Sequence, residues 1–342
     1  MVRRIGWNVS GFVDLSVPCL QAVRPDGSAI ATVVAYGCHT VTTGIGLVAY
    51  SPDYPGPLRD LVRQVSGGEC IFLQGAGGNV MPRVAFDDSL ETRERLGRRL
   101  ALEALHALAD RPAQPMRLAP AGFDSATPLD LFRFEPIDAE PPTLSAIEEL
   151  VDFPLLPLPS LEEAERELAR AEAEIREAEQ RGASVSEIRV LRFHGAAYWE
   201  RLRSELAGGS PRTSVRGSIC AVRIGDCAIV TGPGEVFTEI GMAVKERSPA
   251  DVTIYAGYTN GVISYMPIAA EYPLGGYEPG YGNKSYGLPT QVTPEVEPIL
   301  VETGVRLVRS LFPERPPRGP SGWLASGAAP QAPPPITLSP PT

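Results

Sequence analysis

Four short apolar runs, each ending in a glycine-bearing polar loop, constrain this chain more than any other feature. "IATVVAY" (30–36) runs into Gly37-Cys38-His39-Thr40, and "CIFLQ" (70–74) into Gly75-Ala76-Gly77-Gly78-Asn79. "CAIVT" (227–231) runs into Gly232-Pro233-Gly234-Glu235, and "TIYAGY" (253–258) into Thr259-Asn260-Gly261. β-branched, apolar runs of this length bounded by glycine read as buried strands. Helical patterns between them make the chain α/β: a layered mixed sheet flanked by helices. In such sheets sites form where the carboxyl ends of strands meet. If these strands are parallel neighbours, their loops bring a His, a Glu, tyrosines and a glycine-rich turn to one edge, and such groups suit metal or acid–base chemistry.

The helical patterns are explicit. "ETRERLGRRLALEALHALAD" (91–110) predicts a helix burying Leu96, Leu100, Ala104 and Leu108. Residues 111–160 are proline-rich and read as irregular, with one strand near 117–124. "LEEAERELARAEAEIREAEQ", the breaker "RGAS" and "VSEIRVLRFHGAAYWERLRSEL" predict an antiparallel helical hairpin inserted at 160–206. "SICAVRIGDCAIVT" reads as a β-hairpin turning at Gly225-Asp226, and 294–311 as a last helix. The domain is thus expected over 1–315, followed by a disordered proline-rich tail at 316–342.

The net charge of −10 argues against nucleic acid and against an anionic membrane surface. No apolar run is long enough for a transmembrane segment, and no feature sets an oligomeric state. The five cysteines are scattered with no CxxC pair, so neither a disulfide framework nor a thiolate metal site is indicated. The chain as given reads as cytoplasmic; a further N-terminal segment would open the way to export.

The 75–79 loop has three readings from its residues. It lacks both the Lys-Ser/Thr ending of a P-loop and GxGxxG spacing, which weakens phosphate binding. It could admit a substrate to a metal site, or simply let another part of the protein approach. Residue by residue, His39 could be a structural histidine, Glu235 a helix-start carboxylate, and Tyr265 and Tyr277 half-buried tyrosines.

At "VVAYGCHTVT", "DYPG" with "IFLQGAGGNVMPR", "GPGEVFTEIGMAVKER" and "GYTNGVISYMPIAAEYPLGGYE" the sequence resembles the neutral/alkaline non-lysosomal ceramidase family, in its catalytic domain. The resemblance covers most of 1–315. It implies a zinc-dependent hydrolase of amide or related bonds acting on a small-molecule or lipid-like substrate. His39, Glu235 and Tyr265 match zinc ligands, and Tyr277 matches a tyrosine that stabilises the substrate oxyanion. Gly78 and Asn79, with Gly77, are expected to offer backbone and amide contacts to substrate, and Asp53 to stand behind the ligands. Met81 occupies the position of the family's serine nucleophile; a thioether cannot attack an amide, which points to zinc-bound water instead. The family's upstream His-x-His pair has no counterpart here, implying a bacterial-type member short of its N-terminal part. The alternative is a non-catalytic remnant that binds a partner through the helical hairpin.

Overall fold

The structure, a computed structural model, describes residues 8, 10–44, 46–109, 116–124, 126–127, 129–136 and 141–315. The expected tail at 316–342 lies outside them. The first half builds β1 (Cys19–Val23), β2 (Ala29–Tyr36), α1 (Pro55–Ser66), β3 (Glu69–Gln74) and α2 (Leu90–Ala109). β2 is central, antiparallel to β1 and parallel to β3. Leu58 and Val62 of α1 and Ala101 and Ala104 of α2 close a small core over Val34 and Cys70.

Helix α2 turns a different stripe inward from the one its leucines predict. Thr92, Gly97, Ala101 and Ala104 are buried, whereas Leu96, Leu100 and Leu108 are only half-buried. Close approach to α1 decides this: a Cβ on Gly97 would lie 2.3 Å from the Tyr54 carbonyl oxygen. Backbones that near each other leave room only for small residues at the contact.

Residues 111–160 hold more structure than their prolines suggest. β4 (Met116–Asp124) forms an antiparallel ribbon with β5 (Leu129–Pro136), and β6 (Leu144–Pro154) is an edge strand of the second sheet. The expected strand at 117–124 is β4; β5 and β6 were hidden. Prolines sit at both ends of β6 (Pro141, Pro142, Pro154), where a missing ladder donor is tolerated.

The predicted hairpin comprises α3 (Leu161–Gln180), α4 (Val185–Leu191), a π-helical turn at Arg192–Ala196 and α5 (Ala197–Ala207). Ser160 and Ser184 cap α3 and α4, their side chains accepting from the Glu163 and Glu187 N–H groups at 3.1 Å. Ala164, Leu168, Ala171 and Ile175 form the buried stripe. The hairpin docks through the Tyr198 hydroxyl, which donates to the Pro289 carbonyl at 2.6 Å.

The remaining strands and α-helices are β7 (Ser214–Ile224), β8 (Cys227–Thr231), β9 (Glu235–Val236), α6 (Thr238–Arg247), β10 (Val252–Ala256), β11 (Tyr265–Met266), α7 (Tyr277–Gly280), α8 (Asn283–Tyr286) and α9 (Val296–Ser310), with a 3-10 helix at Ala269–Leu274. The second sheet has the order β10-β8-β7-β6, with β10 and β8 parallel and the other pairs antiparallel. Its core joins Phe153, Ile219 and Val230 of the strands to Ile240 of α6 and Leu300 of α9.

The two sheets meet at their carboxyl ends. Gly75 N–H donates to Tyr36 O, Gly257 N–H to Gln74 O, and Gly232 N–H to Ala256 O, each at 2.9 Å. β2, β3, β10 and β8 therefore end side by side, and the loops singled out in the sequence converge there. Among the described residues no helix is long and apolar enough to cross a membrane.

Candidate active site

His39 is held by backbone on one side of its ring. Its Nδ1–H donates to Gly77 O at 2.8 Å and Val80 O at 3.1 Å, and its own N–H donates to Val80 O at 2.9 Å. Two carbonyl partners require the proton on Nδ1, which directs Nε2 away from the backbone. Glycines make this possible. A Cβ on Gly37 would lie 2.5 Å from Ala76 O, and one on Gly77 would lie 2.5 Å from the Gly37 carbonyl carbon. The Cys38 carbonyl, in the same loop, accepts from the Tyr54 hydroxyl at 2.6 Å and from Gln74 Nε2 at 2.8 Å.

Glu235 faces that imidazole. It is 5% exposed, and its Oε2 lies 2.9 Å from His39 Nε2. Burial pulls the His39 pKa down, but hydrogen bonding and charge from Glu235 outweigh it and hold the imidazole above its usual range. β9 and β11 pair in parallel with Glu235 opposite Tyr265, so register delivers the phenol to the same point. Tyr265 OH lies 3.4 Å from His39 Nε2, and the two rings stack. Burial, then the Glu235 charge, pushes the Tyr265 phenol far above its usual pKa.

Tyr277 stands next to this trio. Its ring meets Tyr265 edge-on at 5.5 Å, and its hydroxyl is 3.3 Å from Ser285 Oγ. Asp53 does not reach the centre. Its carboxylate accepts from Thr42 Oγ1, the Thr43 N–H and hydroxyl, and Tyr54 N–H at 2.7–3.0 Å, on a left-handed backbone with φ 53°. Burial alone would raise that carboxyl; these hydrogen bonds outweigh burial and hold it below the usual range. Asp53 thereby ties Thr42 and Thr43 to the start of α1, and the Tyr54 hydroxyl links that end to the Cys38 carbonyl.

The glycine loop packs against protein. A Cβ on Gly78 would lie 2.3 Å from Glu235 O, and Gly78 N–H donates to Val236 O at 2.8 Å. The Asn79 amide is engaged on both sides: Oδ1 accepts from Thr238 N–H and Nδ2 donates to Glu239 Oε2, both at 2.9 Å. Helix α6 has no side-chain cap of its own, since Phe237 is at its N-cap. Asn79 supplies that cap from 159 residues away. Met81 is half-buried directly after Val80, whose carbonyl holds His39.

A cleft of about 410 Å³ opens over His39, Thr40, Val41, Phe72, Gln74, Glu235 and Tyr258. Tyr258 was missing from the sequence-derived set, although its hydroxyl donates to Glu235 Oε2 at 2.6 Å. Its place at the carboxyl end of a strand run was the available signal; as the last aromatic of an apolar run it reads as core. Among the described residues no three His, Cys, Asp or Glu side chains gather as a metal cluster. The convergence is instead one imidazole, one carboxylate and phenols, a nitrogen and oxygen donor set that suits zinc.

No protein-family model matches this chain, and no curated protein matches it either. Solved structures do. The neutral ceramidase of Pseudomonas aeruginosa superposes with a TM-score of 0.54 at 17% identity, over 89% of this chain and 48% of that one. A ceramidase complexed with C2 superposes with a TM-score of 0.52 at 15% identity, over 90% and 50%. The chain has the fold of these proteins and spans about half their length.

Proposed function

We propose that this chain is a zinc-dependent hydrolase of amide or related bonds, of the neutral-ceramidase kind. The observation that carries the reading is the convergence of His39 Nε2, Glu235 Oε2 and Tyr265 OH at the carboxyl ends of parallel strands, with His39 and Glu235 lining an open cleft. The shared fold supports it. His39, Glu235 and Tyr265 would hold the zinc. When bound, zinc supplies Lewis-acid activation of water and of the scissile carbonyl.

The protein's own groups supply the rest. The Gly77 and Val80 carbonyls keep the His39 proton on Nδ1, leaving Nε2 as a lone-pair donor. Tyr277 is bound only loosely by Ser285 and is free to donate its hydroxyl proton toward a developing oxyanion. Met81 provides no acyl nucleophile, so attack comes from water. Gly78 and Asn79 act by position: one allows the 75–79 loop to rest on Glu235, the other ties that loop to α6. The small-molecule or lipid-like substrate enters over Phe72 and Val41.

Elemental analysis of the purified protein tests this. Wild type is expected to carry about one zinc per chain, as a single site of this donor set would, and His39→Ala to lose it. Activity is then sought on N-acyl amides and esters. A folded, zinc-free wild type would overturn the reading in favour of a partner-binding remnant.

A further inference from the structure

We propose that Tyr258 is a positioning residue for this centre, its hydroxyl holding the Glu235 carboxylate in the orientation that a metal ion requires. The inference rests on the zinc reading above. Tyr258 lines the cleft and donates to Glu235 Oε2 at 2.6 Å, the same oxygen that faces His39 Nε2. Carboxylates that ligate metals are themselves hydrogen-bonded, and these outer partners set the orientation of the ligand.

The backbone shows that this contact is constructed. Tyr258 has φ 57° and Asn260 φ 59°. A bulky aromatic in the left-handed region is an outlier that persists only where its surroundings impose it. Here two hydrogen bonds impose it: Tyr258 N–H donates to Gly234 O at 3.0 Å, and Thr259 N–H to Gly232 O at 3.1 Å. The loop carrying Tyr258 is thus stitched to the loop carrying Glu235. Asn260 Nδ2 pins the far side of the turn to Ser218 Oγ at 3.1 Å. An ordinary backbone at 258 would aim the ring elsewhere, so the strain secures the Glu235 contact.

Zinc affinity of the full chain, measured by competition with a chromophoric chelator, is the test. Tyr258→Phe keeps the ring and removes the donor; its zinc Kd is expected to rise about 10- to 100-fold. Tyr258→Asn takes a residue type that accepts left-handed backbone readily but is too short to reach Glu235. It is expected to show the same loss, and keeps the test open if the Phe variant does not fold. Tyr272→Phe is the control: it removes phenol bonds to Val292 O and Thr293 O, neither made to Glu235, and is expected to lower Tm without moving the zinc Kd. Wild-type zinc affinity in a folded Tyr258 variant would overturn the assignment and leave the zinc site standing. A zinc-free wild type would overturn the site itself, and this role for Tyr258 with it.

Discussion

In the helical hairpin of α3 to α5, the caps and the buried stripe have their causes a few residues away, while its docking contact, Tyr198 to Pro289, reaches far along the chain. Ser160 caps onto Glu163, Ser184 onto Glu187, and the buried stripe recurs at helical spacing. At the seam where β2, β3, β10 and β8 end, causes and effects are far apart. His39 is held by residues 38 and 41 positions away, and meets Tyr265 across 226. Asn79 caps a helix across 159. The hairpin turns much of its surface to solvent, where a changed side chain meets water. The seam rests on close backbone approaches that glycines permit, where an added side chain meets backbone.

The sharpest break in this comparison is Gly78→Ala. Its Cβ would meet the backbone of Glu235, which cannot swing aside as a side chain can. We expect a loss of about 3 kcal/mol or more, at the upper end of overpacking costs, read as a fall in the urea midpoint. The same change at Gly182, a turn glycine in the hairpin with nothing within 4 Å of its Cβ, meets only backbone strain. It is expected to cost about 1 kcal/mol. Equal losses at the two glycines would end the distinction.

Tyr54→Phe comes next. It takes the hydroxyl from the Cys38 carbonyl but leaves Gln74 on that oxygen. About 1 kcal/mol is expected from one net hydrogen bond, together with weaker zinc binding as the His39 loop loosens. Ser160→Ala in the hairpin costs a similar amount, about 1 kcal/mol for a lost N-cap, but should leave zinc binding untouched. Zinc titrations of the two variants side by side would separate seam from hairpin at matched stability cost.

Acidity separates them most gently. In zinc-free protein the raised His39 pKa means that its pairing with Glu235 stabilises fully below pH 6.5, the unfolded value, and fades as pH rises through the folded one. Asp53 has the opposite sign. Its depressed pKa contributes stability above about pH 3.8, lost as pH falls through the lower folded value. Tm against pH should therefore flatten on the alkaline side in His39→Gln and on the acid side in Asp53→Asn. A profile unchanged in both would remove these groups from the stability of the seam.

How far the sequence could be read follows from where each cause lies. Strands ending in glycine, helices with a serine before an acidic turn, and the "GD" hairpin are local patterns, and each appears where its residues put it. The trio His39, Glu235 and Tyr265 could be nominated because each stands just past a strand-like run or within a quoted motif. Tyr258 could not: in one dimension it is the last aromatic of an apolar strand. Asn79, legible as a polar residue on a glycine loop, gave no sign that its amide would close the end of α6.

By itself the sequence determined the alternation of strands and helices, the hairpin with its buried stripe, and the residue types available for chemistry at the strand ends. These depend on periodicity and on neighbours three or four positions away, which the chain carries with it. Only the tertiary structure decided which face of α2 is buried, that β6 joins a sheet, and that the two sheets meet where Gly257 N–H reaches Gln74 O. It also decided that Glu235 Oε2 receives both His39 and Tyr258. Each of those outcomes depends on how closely two distant backbones can approach, a distance set by packing and not by sequence spacing.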